Sequence, residues 1–240
     1  MPPLYDSRMM RRILVASLAL VAAAATACSS DEPADTGNLP DGAALLEDAA
    51  AATADITSAH FVLTVNGEVP GLDVKNAEGD LTREGGPAGA AKGTVSMNLF
   101  GQLFEGEFVI VDDVAYIKGP TGDYTELSAS MVSSLYDPAA ILDPERGVAH
   151  VLSNIQDPKT EVLEDVEGVS AYRVKGRVTK DVVADLVPGI DSDVDVTVWL
   201  AEKGEHLPVK ASVAVQAEGD PTVDVTLSNI DEPVEITAPN

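Results

Sequence analysis

The side chains that could do chemistry are few in this chain and poorly placed for it. Its three histidines are His60, at a strand start, His150, on a helical stretch, and His206, after a hairpin turn. None lies near a cysteine, an HExxH pair or an acid pair at ligand spacing. No G-x-S-x-G, Walker A or G-x-G-x-x-G sequence occurs, so no activated nucleophile and no phosphate cradle is expected. The sharpest candidate is the acidic stretch DSDVDVTVWLAE. It puts Asp191, Asp193, Asp195 and Glu202 at positions 1, 3, 5 and 12 of a calcium-loop template. Position 6 of such a loop needs glycine for its turn, and here it is Val196, inside an alternating strand with Val194 and Val198. A strand cannot wrap an ion in that way. The stretch therefore reads as a solvated strand entry, and neither a catalytic residue, a metal site nor a cofactor is expected.

Cys28 has a different setting. It is the only cysteine. Arg8, Arg11 and Arg12 precede an uncharged run, residues 13–27, which ends in Ala25, Thr26 and Ala27. That is the three-part layout of a secretory signal peptide. With 15 residues the run is short of the roughly 20 needed to cross a bilayer. A cysteine directly after small residues resembles the lipobox of bacterial lipoproteins, where the thiol receives a diacylglyceryl group and becomes the first residue after cleavage. Ala25 departs from that pattern, in which leucine is commoner. Two acyl chains give a stable anchor where one gives only reversible binding. The expected organisation is a signal peptide over 1–27, a lipidated Cys28 and flexible tether over 28–40, and a single domain over 41–240. The expected location is the outer leaflet of the cell membrane, in the cell envelope.

The formal charge of −25 moves to −27 once residues 1–27 are removed, with 12 basic against 39 acidic side chains. That balance excludes nucleic acid as a partner. With no second cysteine there is no internal disulfide, and an exported domain must be held together by its apolar core.

The elements follow from periodicity. Residues 43–55 form an alanine-rich helix. Phe61, Leu63 and Val65 alternate along a first strand, and NGEVPG turns the chain into a second. The 83–93 segment, REGGPAGAAKG, reads as a loop. GTVSMNLFG alternates Val95, Met97 and Leu99 against polar neighbours, and EFVIVDDVAYIKG is a hairpin turning at Asp112 and Asp113. From Leu127 to Ile155 the spacing becomes helical: Met131 and Leu135 stand i, i+4, then Val148, Val151, Leu152 and Ile155, with Pro138 and Pro144 as breaks. Strands return at 170–178, 193–216 and 222–230, and a short helix follows Thr179. The fold class is α+β, with helices on one side of a mostly antiparallel sheet. Such layers leave an apolar space that either closes into core or holds a ligand.

Three stretches carry a resemblance: SAHFVLTVNGEVPGL (58–72), YDPAAILDPERGVAHVLSN (136–154) and VTVWLAEKGEH (196–206). In this order and spacing the chain resembles the actinobacterial LppX/LprAFG lipoproteins from the signal peptide to about Leu227. The resemblance implies an antiparallel half-barrel wrapped around helices, like that of the LolA/LolB lipoprotein carriers, with a large apolar cavity. It implies as ligands triacylated glycolipids of the phosphatidylinositol mannoside and lipoarabinomannan class, and triacylglycerol. It implies an inner-membrane major-facilitator efflux transporter as partner. The 83–92 loop and the acidic DSDVDV segment depart from the family pattern.

On the alternation and the resemblance together, the lipid-facing residues are expected to be Phe61, Leu63, Val65, Val95, Met97, Leu99, Phe108 and Ile110 from the sheet. Met131, Leu135, Val148, Val151 and Leu152 are expected from the helical segment, with Tyr136 at the rim. Both faces of the 107–117 hairpin are apolar, so the opposite phase would put Val109 and Val111 in place of Phe108 and Ile110. The rival expectation is a scaffolding lipoprotein that assists an envelope transporter and carries no lipid.

Overall fold

The computed structural model describes residues 38–85, 89–99, 101–120, 122–133, 138–184, 186–187 and 190–239. Its first element is α1, Gly42–Asp55, whose start is fixed by Asp41: the Oδ1 atom accepts the backbone N–H groups of Ala43 and Ala44, each at 3.0 Å. These are two of the donors that a helix start leaves without partners. Leu45, Leu46, Ala49, Ala50 and Thr53 recur at helical spacing and are buried.

Next come β1 (Ser58–Asn66), β2 (Val74–Thr82), β3 (Ala90–Leu99), β4 (Gln102–Val111), β5 (Val114–Lys118) and β6 (Tyr124–Ser128), a run of antiparallel hairpins. Three short helices carry the chain onward: α2 (Ala129–Ser133), a 3-10 helix (Pro138–Leu142) and α3 (Val148–Ser153). The second run is β7 (Gln156–Val166), β8 (Val169–Val178), β9 (Val194–Ala201), β10 (Pro208–Ala214) and β11 (Thr222–Ser228), with α4 (Lys180–Val183) between β8 and β9. Because β11 pairs with β1, the two runs join into one 11-stranded sheet, ordered β6-β5-β4-β3-β2-β1-β11-β10-β9-β8-β7. The chain leaves this sheet at one edge and re-enters at the other. The helices between β6 and β7 must therefore cross one of its faces.

Side-chain alternation selects that face. Ala59, Phe61, Leu63 and Val65 of β1 and Val194, Val196, Val198 and Leu200 of β9 are all buried on one side. The helices cover this side, and α1 packs against α3. The opposite side carries ion pairs such as Lys118–Glu107 and Arg173–Glu164, both at 3.0 Å. The α+β class and the one-sided placement of the helices agree with the sequence.

Three details do not. Ala90–Lys92, read as loop, are the first residues of β3, and Ala90 and Ala91 are fully buried. Leu127, read as a helix start, belongs to β6, which forms because its hairpin with β5 supplies a pairing partner. β7 escapes the sequence reading altogether. Pro158 and a charged composition disguise it, both tolerated because β7 is an edge strand whose register with β8 shifts around Pro158. The 107–117 hairpin has the phase expected first: Phe108 and Ile110, not Val109 and Val111, belong to the main buried cluster. Val111 is buried separately, beside the loop at Gly85.

Candidate functional site

A small apolar cavity of about 50 Å³ lies between the sheet and the helices. Its floor is a cross-strand row. Leu63 of β1 stands opposite Val225 of β11, Val225 opposite Ala211 of β10, and Ala211 opposite Val198 of β9. Val213 and Val223, paired across β10 and β11, extend the row. Ala211 is the smallest side chain in it, and the room it leaves beside two valines is not filled from above. The roof is Ile141 of the 3-10 helix, Val148, Val151 and Leu152 of α3, Val183 of α4, and Leu186 and Val187 just after it. Every lining side chain is aliphatic, so no acid, base or hydroxyl points into this volume.

The roof is held from its own loop. Asp143 joins the 3-10 helix to α3: its Oδ1 accepts the N–H groups of Glu145 (2.8 Å) and Arg146 (3.2 Å), and its Oδ2 accepts Arg146 Nε (3.0 Å) and Nη2 (2.8 Å). Burial alone would raise its pKa, but the Arg146 guanidinium and the N–H of Glu145 outweigh it and hold the carboxyl below its ordinary value. Gly147, at the N-cap of α3, faces the carbonyl groups of Ala140, Ile141 and Asp143 so closely that a side chain would collide with backbone. Together these contacts set the direction in which α3 crosses the sheet.

The expected site residues divide sharply. Leu63, Val148, Val151 and Leu152 line the cavity. Phe61, Val65, Phe108 and Ile110 are buried on the same face, and Val95 and Met97 pack half-buried against that cluster. Leu99, at the end of β3, is half-buried. Met131 is a correction: on α2 its side chain is 61% exposed rather than turned into the buried cluster. Leu135 and Tyr136 fall outside the described residues. The sequence reading missed the β9–β11 half of the floor. Its signal was present in the alternation of DVDVTVWLA, but nothing local says that β11 pairs with β1 and so brings β9 and β10 under α3.

The residues weighed for chemistry are dispersed. His60 lies on the outer face, its Nδ1 2.9 Å from Asp80 Oδ1, and His206 Nδ1 meets the Ala201 carbonyl at 2.8 Å. Asp193 accepts the Lys180 N–H at 3.2 Å, and Asp195 pairs with Arg177 at 3.3 Å. Six strand residues lie between Asp195 and Glu202, a rise of about 23 Å, so these carboxylates cannot share an ion. Among the described residues the space between floor and roof is small. Pockets for small molecules occupy roughly 300–1,000 Å³, whereas this one is smaller because the helices pack directly on the sheet.

An open antiparallel sheet whose one apolar face is roofed by short helices around an aliphatic void is an architecture for enclosing apolar matter. The chain belongs to the LppX_LprAFG lipoprotein family, whose model matches residues 41–236. It is 36% identical over 228 residues to the lipoarabinomannan carrier protein LprG of Mycobacterium leprae, an alignment covering 94% of each chain. To the protein of the same name in Mycolicibacterium smegmatis it is 38% identical over 233 residues, again 94% of each. Two crystal structures share the fold. LprF from Mycobacterium bovis superposes with a TM-score of 0.74 at 26% identity, over 84% of this chain and 98% of that one. LppX from Mycobacterium tuberculosis gives 0.62 at 25% identity, over 81% and 97%.

Proposed function

We propose that the protein is a lipid carrier of the cell envelope, held on the outer leaflet of the cell membrane by a diacylglyceryl group on Cys28. It binds the acyl chains of triacylated glycolipids, of the phosphatidylinositol mannoside and lipoarabinomannan class, or of triacylglycerol. It passes them toward the outer envelope beside an inner-membrane major-facilitator efflux transporter. Residues 1–27 act as a signal peptide, 28–40 as the tether, and 41–240 as the lipid-binding domain. The observation that carries this reading is the all-aliphatic void between floor and roof, and the relatives named as lipoarabinomannan carriers support it.

The energetics require enclosure. Each buried methylene is worth about 0.8 kcal/mol, so a 16-carbon chain represents roughly 12 kcal/mol of gross transfer energy that water does not supply. A dry aliphatic wall supplies it without covalent chemistry. Since the void is about 50 Å³, an acyl chain enters as the roof helices lift from the Leu63–Val225–Ala211–Val198 row, exchanging helix–sheet contact for lipid contact. The size of the void is also what favours the rival reading, a scaffolding lipoprotein whose core is simply closed.

Extraction from vesicles separates the two. Protein incubated with vesicles containing radiolabelled triacylglycerol, then isolated by gel filtration, should retain the label at up to one lipid per chain. A folded protein that emerges unlabelled supports the scaffold.

A further inference from the structure

We infer that the tip of the β3–β4 hairpin, through Leu99 and Leu103, dips into the lipid surface and docks the domain on the membrane. The inference rests on the proposed Cys28 anchor and names the surface that the anchored domain presents. Along the outer face of this hairpin the side chains are polar: Thr94, Ser96 and Asn98 on β3, Glu105 and Glu107 on β4. Leu103, opposite Asn98 on that same face, breaks the pattern and is 62% exposed. Leu99, on the inner face, is half-buried. A hairpin tip with leucine on both faces is wasteful in water and suited to a surface that surrounds it.

Charge isolates the same spot. Every other direct strand-to-strand turn carries at least one acidic residue: Glu68 and Asp73, Glu84, Asp112 and Asp113, Asp123, Glu167, Glu202 and Glu205, Glu218 and Asp220. The turn between β3 and β4 has none, and no charge occurs from Gly93 to Phe104, in a chain of net charge −25. At the end of the sheet that holds this turn, Glu68, Asp73, Asp123, Glu218 and Asp220 keep the neighbouring turns off anionic lipid, so the uncharged β3–β4 tip is the part that can enter it. Burial of an apolar tip to about 5–10 Å stops where Glu105 reaches the headgroups.

The tether ends on the same side. The strand registers place Leu99 and Gln102 at the end of the sheet that also holds Val74, Asn66, Thr222, Ala214, Asp195 and Gln156. Gly42, the first residue of α1, packs on the backbone of Pro158 at that end. The thirteen residues 29–41 reach at most about 45 Å from a lipidated Cys28. The tether therefore enters the domain at the end that holds the β3–β4 tip. The two other exposed large hydrophobics among the described residues, Met131 and Val169, lie at the opposite end, where β6 and β7 finish.

The test uses the full-length lipidated chain in phosphatidylcholine–phosphatidylglycerol vesicles. With Cys28 acylated, Leu103→Cys offers a single free thiol for an environment-sensitive dye, and Glu84→Cys, at the far end, is its control. The dye at 103 should shift to the blue and be quenched by doxyl-labelled lipid, while the dye at 84 stays in water. Water at both positions would overturn the docking and leave the carrier reading untouched. Two dyes per chain would show a free Cys28 thiol and overturn the anchor on which the inference rests. Leu103→Asp, at an exposed position, should keep its melting temperature and its bound lipid but deliver lipid to vesicles at least about tenfold more slowly, as loss of one leucine's burial requires. An unchanged delivery rate would contradict the inference.

Discussion

Gly79 and Gly93 face each other across β2 and β3 at a distance no other residue type permits. A Cβ on Gly79 would stand 2.8 Å from the Gly93 Cα and closer still to the Lys92 carbonyl oxygen, and one on Gly93 would meet Gly79 and the Glu78 carbonyl in the same way. The pair lies in the row that runs from Phe61 through Gly79 and Gly93 to Phe108. Two positions without side chains, flanked by phenylalanines, let the two strands approach there more closely than any side chain would allow.

Gly93→Val should therefore cost at least about 1–3 kcal/mol, the range of overpacking, since the obstacle is backbone and cannot rotate away. For a chain of this size that lowers the melting temperature by roughly 3–10 °C. Calorimetry of the variant checks it, and an unchanged transition would mean that the strands do not need this approach.

Ala211→Leu tests the floor of the void. Its added carbons enter a space of about 50 Å³, so the fold should tolerate them, with the melting temperature within about 3 °C of wild type or above it. Lipid retained after vesicle extraction should fall by half or more. A clear loss of stability would show the row already filled.

Acid should loosen one seam selectively. Asp231 Oδ1 accepts the backbone N–H and the hydroxyl of Thr57, both at 2.8 Å, and so ties the segment after β11 to the turn between α1 and β1. The Thr57 N–H, then its hydroxyl, hold this carboxyl below its ordinary value. A depressed folded-state pKa contributes stability above the unfolded value, about 3.9, and that contribution is lost as pH falls through the folded one. Urea midpoints of wild type and Asp231→Asn should thus differ at pH 7, with wild type the more stable, and the gap should narrow as pH falls below the ordinary carboxylate range of about 4. A constant gap would assign the effect to something other than this titration.

Cys28→Ala should move the protein from the membrane fraction to the soluble or secreted one, because the substitution removes the thiol proposed to carry the diacylglyceryl group. Immunoblots of the two fractions read the result. Retention in membranes would refute the anchor.

How much of this was legible depends on whether a feature is local. The alternation in HFVLTV and DVDVTVWLA announced buried strand faces, the alanine-rich run announced α1, and Val148, Val151 and Leu152 announced the roof. The paired turn residues Asp112 and Asp113, both with positive φ, matched the hairpin reading. What stayed hidden was long-range. No periodicity in 222–228 tells that β11 pairs with β1 rather than extending an edge, so Val198, Ala211, Val213 and Val225 could not be placed under α3. Edge position likewise hid β7, because a strand with only one neighbour needs neither strict alternation nor an absence of proline. Met131 misled because an i, i+4 spacing set by two residues does not say which face a helix turns to the sheet.

The central claim is that the space between floor and roof takes up acyl chains, and native mass spectrometry of the mature domain, residues 29–240, purified from an actinobacterial host reads it directly. The account predicts a folded protein carrying a non-covalent adduct with the mass of a triacylated lipid, released on collisional activation and depleted in Ala211→Leu. A folded wild-type domain that flies only at its bare polypeptide mass, from a host rich in such lipids, would contradict it and leave the scaffolding role.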